Sequence, residues 1–135
     1  MKKYHFISDK GKKSQKIKKS LLNKFKNFNP NISNIIVVLG GDGFMLNALK
    51  KLQKYNKPFY GINTGTFGFL MNKYQNINLD KLISKTKLVI ISPLKMKVLT
   101  KYGKSYSAIA VNEVSLLRQS RQTSSLQIMN NKKVI

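Results

Sequence analysis

With 135 residues and 41% apolar content, the chain has material for one ordinary domain or for the front portion of something larger. Lysine and arginine number 26 against four acids, a formal charge of +22, with no cysteine and a single histidine, His5. This composition excludes disulfides, thiolate nucleophiles and histidine or cysteine metal clusters, and its charge points to an anionic partner: nucleic acid, a membrane surface or a phosphorylated ligand.

Tyr4 to Ile7 is expected to form a first strand, and Ser8–Asp9–Lys10–Gly11 a polar turn. Ser14 is placed as the cap of a following helix, whose apolar positions Ile17, Leu21, Leu22, Phe25 and Phe28 recur every three to four residues. Lysines fill the opposite face, as on a surface helix laid against a sheet. Asn29–Pro30–Asn31 is expected to end that helix. The run Ile35 to Leu39 is short and continuously apolar, the signature of a central parallel strand.

That strand ends in Gly40–Gly41–Asp42–Gly43, and the helical period then resumes with Met45, Leu46, Leu49 and Leu52 on one face. Glycines remove side chains where a phosphate or ribose could approach the backbone, and the first amides of the next helix point back at the same place. Asp42 there either accepts a hydroxyl proton or caps the helix. The helix stops before Pro58, and Phe59–Tyr60–Gly61–Ile62 supplies another strand, so the order strand, helix, strand implies a parallel pair.

A second Gly-rich segment, Gly61 to Asn72, follows at once. In open α/β sheets the ligand crevice lies beyond the carboxyl ends of the strands, where both Gly-rich segments fall. Neither has the spacing of G-x-G-x-x-G or of a P-loop, so the ordinary dinucleotide and Walker readings fail. Asn63, Thr64 and Thr66 are placed to hydrogen-bond a ligand or, alternatively, their own turn. Phe67 and Phe69 would face opposite ways in an extended segment, one stacking on a base and one packing inward, unless both serve only the core.

Leu79, Leu82 and Ile83 mark a short helix, and Leu88 to Ile91 reads as a further strand. From Pro93 the pattern becomes antiparallel. Lys95 to Val98 alternates, Gly103–Lys104 supplies a turn, Tyr106 to Val111 is extended, and Val114 to Leu117 keeps β character after Asn112–Glu113. Leu126 to Met129 and Val134–Ile135 flank a hairpin turn at Asn130–Asn131. The expected fold class is therefore α/β, with a Rossmann-like parallel-sheet domain over residues 1–92 and the start of an antiparallel β domain over residues 93–135. A few strands with no closing partner and an apolar last pair lead to the expectation that the chain stops inside this second domain.

Specific nucleic-acid recognition is not expected: Arg118 and Arg121 are the only arginines, and the lysines are scattered among asparagines without interleaved aromatics. No stretch approaches the roughly twenty apolar residues of a membrane span. The N-terminus has charge but no apolar signal region, which leads to the expectation of a cytoplasmic protein without membrane attachment.

Three segments in order, Gly40–Gly41–Asp42–Gly43 after an apolar strand, Gly61 to Leu70, and Asn112–Glu113–Val114–Ser115, resemble the N-terminal half of the NAD kinase family. The resemblance implies an enzyme that phosphorylates the adenosine ribose 2′-hydroxyl of NAD, with ATP or polyphosphate as donor and a divalent cation, usually magnesium. It implies Asp42 as general base, Gly41 and Gly43 lining the phosphate-bearing pocket, Leu46 and Phe69 against NAD with Thr66 beside them, and Asn112 with Glu113 holding the adenosine portion. It further implies assembly into dimers or tetramers through the β domain. The family's later glycine–aspartate–glycine element and its NAD-site loop do not occur in these 135 residues, so the piece itself is expected to lack part of the site. Lipid and sugar kinases share the glycine–aspartate turn, and a basic module that binds anions by charge alone is the non-enzymatic alternative.

Overall fold

The computed structural model describes residues 2–75 and 78–134. Its first part is a four-stranded, all-parallel sheet in the order β1 (Tyr4–Ser8), β2 (Ile35–Gly40), β3 (Phe59–Asn63), β4 (Asn72–Lys73). Helix α1 (Lys12–Leu22) joins β1 to β2, α2 (Asp42–Leu52) with a 3-10 turn at Gln53–Tyr55 joins β2 to β3, and α3 (Leu79–Ser84) follows β4.

The continuous apolar character of β2 has a direct cause, because both of its faces are covered. Val37 and Leu39 join Tyr4, Phe6, Ile17, Tyr60, Ile62 and Leu79 in a core beneath α1 and α3. Ile36 and Val38 face the other way, against Met45 and Ala48 of α2. Helices α1 and α3 therefore lie on one face and α2 on the other, and the carboxyl ends of β2 and β3 emerge side by side, with Gly40 opposite Asn63.

The second part is antiparallel. Strands β5 (Leu94–Leu99) and β6 (Ser105–Ala110) form one hairpin, and β7 (Met129–Asn130) with β8 (Lys133–Val134) a smaller one. Gly103 takes the left-handed conformation, φ 75°, at the β5–β6 turn. The α/β class with an antiparallel β portion is thus as the sequence pattern implies.

Several local expectations are corrected. Ser14 is not a cap: Gly11 holds that position, and Ser14 lies buried inside the first turn of α1. The helix ends at Leu22, so Phe25 and Phe28 belong to the connection that follows, where Phe25 still packs on the core. Leu88–Ile91 forms no strand among the described residues and is exposed, and Val114–Leu117 likewise pairs with nothing described. Of Leu126–Met129 only Met129 enters a strand. The final turn sits one residue later than expected, at Asn131–Lys132, because a two-residue hairpin of this type needs both central residues left-handed, and these have φ 48° and 67°. Ile135 lies outside the described residues. Among the described residues no helix is long and apolar enough to cross a membrane.

Candidate active site

The chain leaves β2 at Gly40 and enters α2 at Asp42, with Gly41 as the extended N-cap residue, φ −107° and ψ −177°. An extended cap followed directly by helix leaves the first amides of α2 facing the carboxyl edge of the sheet without intrahelical carbonyls. Asp42 stands in that first turn, where a negative charge is favoured by the helix dipole. Its side chain makes no capping bond. It reaches across to the loop after β3, where Oδ2 accepts from the Phe69 amide at 2.7 Å and Oδ1 from the Leu70 amide at 3.1 Å. The capping alternative is thereby excluded, and one carboxylate clasps the two Gly-rich segments together.

The loop itself is organised by short-range bonds. Asn63 Oδ1 accepts from the Gly65 amide at 2.8 Å, so Asn63 serves its own turn, and the Thr64 amide donates to the Gly40 carbonyl at 3.0 Å. Thr66 is exposed on the loop. Phe67 and Phe69 are 87% and 99% exposed, so neither packs inward and the core reading of this pair is overturned. Their backbone is fixed while their rings stand free, an arrangement suited to stacking on a planar ligand.

A second group of residues gathers one helical turn away. Leu46 lies four positions after Asp42 on α2, hence on the same side of the helix. With Leu49, Ile109, Ala110, Asn112 and Glu113 it lines a cavity of about 360 Å³ between α2 and the end of β6. The structure thus brings Asp42 and Phe69 together, and separately Leu46, Asn112 and Glu113, with α2 as the link between the groups. Gly41 and Gly43 flank the carboxylate, and a Cβ added at either would meet nothing within 4 Å.

Two further residues shape this site. Ser14 Oγ lies 2.7 Å from Thr64 Oγ1, tying α1 to the start of the loop. Gly68 approaches Asp42 so closely that a Cβ there would sit 3.0 Å from Oδ1. For Ser14 a signal existed, since it precedes Ile17 and Leu21 at helical spacing and so falls on their buried stripe. For Gly68 none existed, because its neighbour is distant in sequence.

A parallel sheet whose carboxyl edge carries two Gly-rich segments, one of them opening a helix, defines an α/β protein of the ligand-crevice type. The chain belongs to the NAD kinase family: the model of the ATP-NAD kinase N-terminal domain matches residues 2–87. It is similar to the NAD kinase of Rhizobium meliloti, 38% identical over 124 residues that cover 92% of this chain and 48% of that protein. The NAD kinase of Brucella suis is 40% identical over 130 residues, 96% of this chain and 51% of the relative. That of Caulobacter vibrioides is 40% identical over 121 residues, 90% and 46% of the two chains. The chain spans about half the length of the curated relatives it matches.

Proposed function

We propose that the protein transfers the γ-phosphoryl group of ATP to the adenosine ribose 2′-hydroxyl of NAD, giving NADP, and that these residues supply the part of the site built on β2, α2 and the loop after β3. The observation that carries this reading is the clasp of Asp42 on the Phe69 and Leu70 amides at the carboxyl edge of the sheet. A carboxylate has about four lone-pair positions, so two amides leave room for a substrate hydroxyl. In the step, the 2′-oxygen bonds to the γ-phosphorus, the bond from that phosphorus to the β,γ-bridging oxygen breaks, and the hydroxyl proton passes to Asp42.

The remaining assignments follow the same reading. Gly41 and Gly43 let phosphate approach the first amides of α2. Phe69 stacks on NAD, with Thr66 beside it, and Leu46 forms an apolar wall. Asn112 and Glu113 hold the adenosine portion, and their place in one cavity with Leu46 supports this. The division into an α/β domain, residues 1–92, and a β portion, residues 93–135, is supported by the change from parallel to antiparallel pairing between Lys73 and Leu94. Dimers or tetramers built through the β portion are part of the proposal, supported by its exposed Leu116, Leu117, Leu126 and Ile128. So is a cytoplasmic location.

Magnesium enters only with the donor. Among the described residues no three of His, Cys, Asp or Glu come together to hold a metal ion. These residues do not fit a resident metal cage, whereas a magnesium ion carried on nucleotide phosphates needs few protein ligands.

The test is NADP formation from NAD, ATP and magnesium, run on the 135-residue chain and on any longer form its gene encodes. NADP production that is lost in Asp42→Asn supports the reading. A folded longer form that makes no NADP with ATP or polyphosphate overturns it.

A further inference from the structure

The loop of residues 64–70 is held at both ends. Its far end is fixed by Asp42 through the Phe69 and Leu70 amides. Its near end is fixed by the Thr64 amide on Gly40 and by the Thr64 hydroxyl on Ser14, 2.7 Å away. Ser14 is only 1% exposed, and a buried hydroxyl that loses its partner has no water to replace it. Between the anchors stand Gly65 and Gly68, so the segment has little stiffness of its own and its course depends on where its ends are tied.

We propose that Ser14 and Thr64 are positioning residues for the Asp42 site: their hydroxyl bond sets where the loop begins, and thereby the distance at which Phe69 meets the carboxylate. Its functional consequence rests on the kinase reading of Asp42, but the coupling does not. Through Ser14, helix α1 becomes a support of the site although it lies on the opposite face of the sheet from α2. Thr64 is then needed for its hydroxyl, not for its shape.

The experiment is amide hydrogen exchange by NMR on the 135-residue chain, with Thr64→Val, Thr64→Ser and Ser14→Ala. Thr64→Val keeps the shape and loses the bond. It is expected to speed exchange at Phe69 and Leu70 by about tenfold, with the β1–β3 amides unchanged. Thr64→Ser, which keeps the hydroxyl, should exchange as the unaltered chain does. Ser14→Ala should match Thr64→Val, and the double variant should be no worse than either single one, because all three remove the same interaction. Unchanged exchange at Phe69 and Leu70 in Thr64→Val overturns the proposal, as does acceleration spread evenly over β1–β3. If the loop amides respond as expected but a folded longer form of the chain makes no NADP, the coupling stands and the kinase reading falls. If the longer form makes NADP at the same rate in Thr64→Val and Ser14→Ala as in the unaltered chain, the kinase reading stands and the positioning role falls.

Discussion

A Cβ on Gly68 would lie 3.0 Å from Asp42 Oδ1, so the loop and the carboxylate meet only because that position has no side chain. The same atom would stand 3.2 Å from Asn63 Nδ2 and 3.2 Å from Met71 Cβ, so three side chains would have to give by a few tenths of an ångström to admit it. Gly68→Ala is therefore expected to lift the loop off Asp42 and lose the Phe69 and Leu70 amide bonds. Because Phe69 is exposed, global stability should change by no more than about 1 kcal/mol in urea unfolding, while the NMR signals of these two amides move. A large stability loss with unmoved amides would place the strain elsewhere.

Gly41 offers the opposite case. An added Cβ meets nothing within 4 Å, and the backbone is extended with φ −107°, a conformation any residue adopts. Gly41→Ala should fold with the stability of the parent chain, within about 0.5 kcal/mol. If phosphate approaches this backbone as proposed, the methyl group stands in its way, and calorimetry should show nucleotide affinity falling by about tenfold or more. Unaltered affinity would move the phosphate site away from Gly41.

Asp42→Asn tests the chemistry. The amide side chain keeps one oxygen for one loop amide but turns an NH2 toward the other, and it cannot take a proton from a hydroxyl. Loss of a general base costs about two to four orders of magnitude in turnover, measured as NADP formation in the longest encoded form. Asn112→Ala, which leaves the carboxylate untouched, should instead raise KM for NAD with kcat little changed, as expected for a group that binds ground state and transition state alike.

What the sequence makes legible follows from how local each signal is. The strands at 35–40 and 59–63 are bounded by glycine, proline and helical periodicity, and burial on both faces gives the first of them an unbroken apolar run from Ile35 to Leu39. Strand β4 is two polar residues, Asn72 and Lys73, held by register with Ile62 and Asn63, and carries no pattern at all. Leu88–Ile91 has the composition of a strand but, among the described residues, no strand pairs with it, and β propensity reports the fit to a partner more than the backbone itself. Asp42 illustrates the limit at the site. Its neighbours Gly41 and Gly43 identify a tight turn before a helix, yet the groups it binds lie at Phe69 and Leu70, a relation that only the folded sheet creates.

Stability against pH depends on a contact at the edge of the sheet away from the site. Tyr4 is buried and donates its hydroxyl to Asp80 in the first turn of α3, binding β1 to that helix. Burial, reinforced by the hydrogen bond and the charge of Asp80, pushes the Tyr4 phenol above its ordinary value of about 10. A raised folded-state pKa means that the folded form holds the proton when the unfolded form has released it. The contribution is therefore complete below about pH 10 and is lost as pH rises toward the folded value. Tyr4→Phe removes both the bond and this titration. At neutral pH it should cost about 1–2 kcal/mol in urea unfolding. Above about pH 10 the gap between the two chains should close, since only the tyrosine form carries the penalty of ionisation. Tyr60, raised by burial, is present in both chains and cancels from the difference. A gap that stayed constant through pH 11 would show that Tyr4 titrates alike in the folded and unfolded chain.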